Sequence, residues 1–348
     1  MGGYTYIGFS FPNFKKMEYE ENKNKRKEGL LVIAIAVVAL VVLIGFSYHE
    51  LTGNFVGDQR ITISYLGGVN NLPLYVALEK GYFDDAGIEV NIVKLDSPNL
   101  IVDYVLSGRA EFAAPGGPVG IAALAHHQSP GELKVYNLAA ESKERVGTSF
   151  VVRKDSLIES VSDLEGKTIG NVPGIQWKIM GKHILNQEGL KKTRIVELPL
   201  GSQIQALVSG QIDAILTIEP IGTIAVEKGL ARHLVKAPIA TYVSNPWFGG
   251  AGIVDADFAE DNPELAEKVI DIFNKAAEEV NQFPDENRKY LPKYTPLNEA
   301  LSEKVPILFF RDTKNLNTKE LEDLKAFLDL FTEYGAIKGT IDVESLLY

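Results

Sequence analysis

The side chains here that could do chemistry are carboxylates, amides and indoles, and they sit at the ends of apolar runs. Glu219 stands before Pro220 at the end of Asp213–Thr217. Facing a ligand, its carboxylate would accept hydrogen bonds from an amino group or balance a cation; facing the following helix, it would cap the N-terminus. Asn171, Gly174, Gln176 and Trp177 lie in one stretch that opens a helix, whose N–H groups offer an anion-favouring end. Trp177 and Trp247, the two tryptophans of the chain, are candidates for stacking on a flat ligand or for ordinary packing. Gly67, Gly68, Asn70 and Asn71 combine close backbone approach with amide donors and acceptors, in what is otherwise a strand-to-helix turn. Pro115, Gly116 and Gly117, with Pro118, make a side-chain-poor loop that would contact a ligand through backbone groups or simply turn the chain. This is chemistry of recognition. The chain has no cysteine, which removes thiolate nucleophiles, thiolate zinc sites and disulfides. Its five histidines are scattered, and the adjacent His126-His127 pair lacks metal-ligand spacing. His126, His127, His183 and His233 fall in apparent helices or their ends. We therefore expect no metal, no cofactor and no catalytic residue.

Elements that alternate as strand and helix must position these groups. Arg60–Tyr65 reads as a strand, Pro73–Lys80 as a helix closed by Gly81, Ile88–Val93 as a strand, Leu100–Ser107 as a helix and Glu111–Ala114 as a strand. The same order recurs from Lys167 to Thr217. Leu106–Glu111 (LSGRAE) aligns with Val208–Asp213 (VSGQID); each time a helix ends at Ser-Gly and an acidic residue opens a strand. The pattern predicts two similar α/β lobes with mainly parallel sheets, lobe 1 comprising 60–152 plus 246–348 and lobe 2 comprising 153–245. Phe150–Arg153 and Phe248–Asp255 are read as two strands that pair at the crossings between lobes, the arrangement a hinge needs. Two further helices are expected, Asn262 to about Phe283 and Thr318–Glu333, the second capped by Asn317. In such sheets ligands bind beyond the carboxyl ends of strands, which is where the groups named above fall.

Gly29–Tyr48 is a run of twenty uncharged residues preceded by Lys23, Lys25, Arg26 and Lys27. At ~1.5 Å per residue it spans a hydrocarbon core of ~30 Å. The basic flank orients 1–28 towards the cytoplasm and the body outside. The run exceeds the usual ~7–15 residues of a signal-peptide core and no small-x-small site follows, so an uncleaved single-pass anchor is expected rather than a cleaved signal. Met17 would leave a shorter basic segment were it the start. Residues 49–59 form a polar linker. The net charge is −11; residues 1–28 carry +2, which leaves −13 on the remainder. An acidic body argues against nucleic acid as a partner and favours a monomer.

Leu74–Val90 (LYVALEKGYFDDAGIEV) resembles the opening signature of the nitrate/sulfonate/taurine and thiamine-precursor binding proteins. Asp155–Gly170 (DSLIESVSDLEGKTIG), Asp213–Pro220 (DAILTIEP) and Asp257–Pro263 (DFAEDNP) resemble later motifs of the same family, so the likeness runs over about 60–280. It implies a type II periplasmic-binding-protein fold, two lobes about a hinge with ligand in the cleft, here preceded by one transmembrane helix. It further implies a substrate-binding protein of an ABC importer, with a permease and an ATPase as partners and a small-molecule solute as ligand. Eukaryotic thiamine-pyrimidine synthases of the family carry a cysteine-rich motif that this chain lacks, so no enzymatic activity is expected. Since the four ligand loops hold no Arg or Lys beyond Lys178, a neutral or amine-bearing heterocycle is favoured as solute, with a sulfonate or other oxyanion second. A biosynthetic enzyme on the same fold and an anchored binding module without a transporter stand as the alternatives.

Overall fold

The computed structural model describes residues 59–348; the apolar run 29–48 lies outside them. Among the described residues no helix is long and apolar enough to cross a membrane.

The chain begins with β1 (Arg60–Leu66), β2 (Glu89–Leu95), β3 (Phe112–Pro118) and β4 (Leu133–Glu141). Helices α1 (Leu72–Glu79), α2 (Pro98–Leu106) and α3 (Val119–Gln128) connect them. A second set follows: β5 (Thr148–Arg153), β6 (Thr168–Asn171), β7 (Arg194–Glu197), β8 (Ala214–Ile218) and β9 (Ala231–Lys236). With it come α4 (Ile175–Gln187), α5 (Leu200–Val208) and α6 (Ile221–Glu227). The chain then returns as β10 (Trp247–Asp255), α7 (Pro263–Gln282), β11 (Phe309–Asp312) and α8 (Thr318–Glu333). The first sheet has the order β11-β4-β10-β3-β1-β2 and the second β7-β6-β8-β5-β9. The result is a two-lobed α/β fold.

The internal repeat is physical. In the first sheet β1 lies between β2 and β3, parallel to both; in the second β6 lies between β7 and β8, again parallel to both. Gly108 and Gly210, each just beyond a helix end, adopt φ of 65° and 77°, a left-handed conformation that glycine reaches without a steric penalty. Glu111 accepts a hydrogen bond from the Thr62 backbone N–H at 2.6 Å, and Asp213 does the same for Thr168 at 2.8 Å. The acidic residue that opens the third strand thus ties it to the first strand in both lobes.

The sheets are mixed rather than mainly parallel. β10 runs antiparallel to β3 and β4, and β5 runs antiparallel to β8 and β9. These strands enter from the crossings between lobes, and apolar pattern carries no information on strand direction. The expected pairing of Phe150–Arg153 with Phe248–Asp255 does not occur: β5 belongs to the second sheet and β10 to the first. Pro115–Pro118 is no loop but the end of β3, paired with Gly250 and Ala251. Glycine is needed there, because a Cβ on Gly116 would lie 2.6 Å from Asn71 Nδ2 and one on Gly117 2.9 Å from the Ala251 carbonyl oxygen. His233 lies on β9 rather than in a helix.

α7 is amphipathic and buries Val269, Ile270, Phe273, Ala276 and Val280 beside the wholly apolar face of α1. α8 starts where expected, with a reciprocal cap: the Asn317 side chain accepts from Glu320 N–H and the Glu320 carboxylate from Asn317 N–H. It packs Phe327 and Phe331 into a core that also contains Trp177 of the second lobe, so its apolar face serves both lobes.

Replacing Glu111 or Asp213 by Ala leaves a strand N–H without its partner. Each substitution is expected to destabilise the protein by about 1–2 kcal/mol in urea unfolding. Equal effects would mark the two carboxylates as the same device used twice; no loss at either would refute that role.

Candidate functional site

Both sheets contribute to the lining of a narrow cleft whose cavity volume is about 60 Å³. Strand ends and helix starts build its walls. From the first lobe come Val69 and Asn70 ahead of α1, Gly116–Pro118 at the end of β3, Ala139 and Glu141 at the end of β4, and Trp247, Gly249 and Gly250 on β10. From the second come Thr148, Gln176 and Trp177 at the start of α4, and Ile218 and Glu219 at the end of β8. Pro306 and Leu308, from the chain before β11, complete the lining.

Of the residues read from sequence, Asn70, Gly116, Gly117, Gln176, Trp177, Glu219 and Trp247 line this cleft together. The others do not. Asn71 is buried and donates to the Leu66 carbonyl at 2.7 Å. Asn171 closes its own turn, donating to the Trp177 carbonyl at 2.7 Å and accepting from Val172 N–H. Gly68 accepts the Tyr75 hydroxyl at 3.0 Å, and Gly67 is covered by the aliphatic end of Lys94. Pro115 turns its carbonyl towards Gly250, and Gly174, at φ 114°, starts α4. These six position the wall rather than form its surface.

The indoles meet in the cleft. Trp177 and Trp247 pack edge to face with centroids 5.9 Å apart, and Trp247 repeats this contact with Phe327 of α8 at 5.6 Å. Both tryptophans are about 5% exposed, and Trp247 Nε1 has no hydrogen-bond partner among the described residues. Gln176 bonds to the opposite lobe at both ends of its carboxamide: Oε1 accepts from Gly120 N–H at 2.8 Å and Nε2 donates to the Gly249 carbonyl at 3.0 Å. Asn70 donates to the Gly116 carbonyl at 2.9 Å.

Two buried carboxylates dominate the electrostatics, and no Lys, Arg or His is among the described residues that line the cleft. Glu141 accepts from Gly147 N–H at 2.8 Å, Thr148 Oγ1 at 2.9 Å and Ala240 N–H at 3.0 Å. Burial pushes its carboxyl above the usual range, against the pull of those hydrogen bonds. Glu219 is half-satisfied. Its Oε2 accepts from Thr223 N–H at 3.0 Å, capping the start of α6, while Oε1 is buried without a partner among the described residues. Both expected roles for this side chain are thus open at once, one oxygen for each. Burial first, then the nearby Glu141 charge, push the Glu219 carboxyl up to about 7, while Thr223 and Lys236 pull the other way. Glu141 was not legible as a site residue: at the end of LKVYNLAAE it reads as the polar stop of an apolar strand. Its one signal is a charge directly after a run that the fold buries completely.

Arranged so, the cleft presents aromatic edges and, at Glu219, an acceptor that a donor group can meet. His126 and His127 lie on α3, His183 on α4 and His233 on β9, none of them in the lining.

Comparison with known proteins bears on the family and the fold. The NMT1/THI5 like family matches residues 69–287. A protein of Bacillus subtilis (strain 168), provisionally named aliphatic sulfonates-binding protein, is 26% identical over 92% of this chain and 94% of its own. The 4-amino-5-hydroxymethyl-2-methylpyrimidine phosphate synthase of Aspergillus parasiticus is 24% identical over 78% of this chain and 80% of its own. Among solved structures, the alkanesulfonate-binding protein SsuA from Xanthomonas axonopodis pv. citri bound to MOPS superposes with a TM-score of 0.69. It is 17% identical, and the match covers 83% of this chain and 98% of that one.

Because the folded pKa of Glu219 lies above that of an exposed glutamate, its proton stabilises the fold. That contribution is complete below about pH 4.5 and is lost as pH rises through about 7. Glu219→Gln, which stays neutral, should flatten this part of the stability profile between pH 5 and 8 in urea titrations. An unchanged slope would show that Glu219 does not titrate there.

Proposed function

The chain belongs to the NMT1/THI5 like family, and from that premise we propose that it is the solute-binding component of an ABC importer, capturing a small molecule between its lobes and presenting it to a permease. The observation that carries the reading is the cleft: it is reached by both lobes, floored by two tryptophans and edged by a carboxylate with a spare oxygen. A ligand that contacts both lobes binds the closed form more tightly and shifts the hinge equilibrium towards it. That closed form is what a permease would recognise, with ATP hydrolysis by the partner ATPase driving release.

For the solute we propose an amine-bearing or neutral heterocycle. A flat ring matches the indole edges, and an amino group matches Glu219 Oε1. An oxyanion would meet two carboxylates without a basic side chain in the described lining, and the Gly120 N–H at the start of α3 is already taken by Gln176. The apolar run 29–48 with its basic flank supports an anchor that keeps the body outside the cytoplasmic membrane, where it raises the effective concentration of the protein at its permease.

One observation favours a catalytic second reading. A carboxyl that titrates near neutrality is a competent proton acceptor, and relatives in the family are named as synthases. Turnover separates the two.

Thermal unfolding of the full-length chain with pyrimidines, amines, sulfonates and nitrate tests the proposal. A ligand at ~100 times its dissociation constant should add about 2.7 kcal/mol of stability. The expected result is a shift with an amine-bearing ring that is recovered unchanged; a shift confined to sulfonates or nitrate would overturn the ligand class, and conversion of the compound would favour the enzyme. Glu219→Gln should weaken an amine ligand by about tenfold to a hundredfold. Affinity of the wild type should fall as pH drops below about 7, where Glu219 takes up its proton.

A further inference from the structure

We propose that Gln176 is a latch that joins the two lobes through protein atoms alone and thereby positions the aromatic wall of the cleft. The side chain belongs to the second residue of α4 in the second lobe, yet both ends of its carboxamide are bonded to the first. The oxygen accepts from Gly120 N–H in the first turn of α3, a donor with no partner inside its own helix. The nitrogen donates to the Gly249 carbonyl on β10. Only 1% of the residue is exposed, so neither bond is shared with bulk water.

The surroundings are shaped for this contact. A Cβ on Gly120 would lie 2.8 Å from Gln176 Oε1 and 2.2 Å from the Phe331 ring, so a side chain at 120 would push out the latch or α8. Phe331 lies in turn against Phe327, which packs on Trp247. Gln176 directly precedes Trp177, and Gly249 lies two residues beyond Trp247. The Nε2 bond between 176 and 249 therefore fixes the distance between the chain segments that present the two indoles, and the 5.9 Å edge contact follows from it. Apart from the buried bonds of Glu141 to Thr148 and Ala240 at the crossings, bonds between the lobes lie nearer to solvent: the Lys304–Glu227 ion pair and the Asn186–Tyr334 hydrogen bond are exposed, and exposed pairs hold little.

Two consequences follow. Closure has a component that no solute supplies, so the population of the closed form is set partly by this residue. A solute reaching the cleft also meets a wall assembled in advance, with Gln176 itself in the lining. The latch extends the solute-capture reading, but its test needs no solute.

Since the chain has two tryptophans and both line the cleft, intrinsic fluorescence reports on the wall directly. In Gln176→Leu, a substitution of similar size, acrylamide quenching of the full-length chain should rise by at least about twofold and exchange of the Gly120 amide should accelerate, as for a local opening. Gln176→Glu, measured at a pH high enough to ionise the buried carboxyl, separates the two bonds: the carboxylate still accepts from Gly120 N–H but donates nothing to Gly249. Quenching should then rise while the Gly120 amide stays protected, a split that general destabilisation would not produce. Wild-type quenching and exchange in both variants would overturn the latch. A latch that behaves as expected in a protein that binds no compound of the panel would leave this inference standing and remove the solute reading.

Discussion

Everything in the cleft depends on one buried carboxylate at the hinge. Glu141 ends β4 in the first lobe, and all three of its hydrogen bonds go to the two crossings: Gly147 and Thr148 on the outward chain and Ala240 on the return. An ionised group with about 1% exposure is tolerated only where donors converge on it. The backbone is therefore held to the one arrangement that satisfies it. Trp247 pairs directly with Glu141 in the β4–β10 ladder, so the same residue fixes the height of the indole in the cleft. Gly147 carries the constraint further: its N–H goes to Glu141 and its carbonyl accepts from Glu219 N–H at 2.9 Å. The two carboxyl groups are thus placed close together by the backbone between them, and the charge of the first helps to raise the proton affinity of the second.

What was legible in the sequence was local or repeated. α8 shows its limits because Asn317 and Glu320 form a cap from residues three apart, and the alignment of Leu106–Glu111 with Val208–Asp213 finds its meaning in two carboxylates that hold equivalent strands. Strand direction was not legible. β10 joins β3 and β4 from more than a hundred residues away, and an apolar run such as FGGAGIVD looks the same in either direction. Pro115–Pro118 reads as a turn because proline and glycine dominate turns; here the glycines serve close approach by Asn71 and Ala251 instead.

The candidate site was partly legible for a related reason. Asn70, Gln176, Trp177, Glu219 and Trp247 are polar or aromatic residues in or beside the connections between strands and helices, the region where an α/β sheet places its ligands. Asn71 and Asn171 meet the same description, but each is consumed by a carbonyl of its own turn. Residue type and position along the chain cannot separate an amide that faces the cleft from one that closes a turn. That distinction lies in side-chain direction, a property of the folded backbone.

The two glutamates show why the cleft is suited to recognition. Glu141 has both oxygens engaged by the protein, so its first role is to hold the crossings between the lobes. Glu219 caps α6 with one oxygen and leaves the other buried without a partner among the described residues. A buried acceptor without a donor destabilises the protein that carries it, and that penalty is relieved either by a proton or by a ligand that brings a donor. A ring bearing an amine can supply that donor while its faces and edges meet Trp177 and Trp247. Gln176 adds the geometric half of the selection, since it occupies the helix N–H that would otherwise attract an anion and holds the indoles at a set separation. Under the proposed solute capture, charge selection and shape selection rest on different residues.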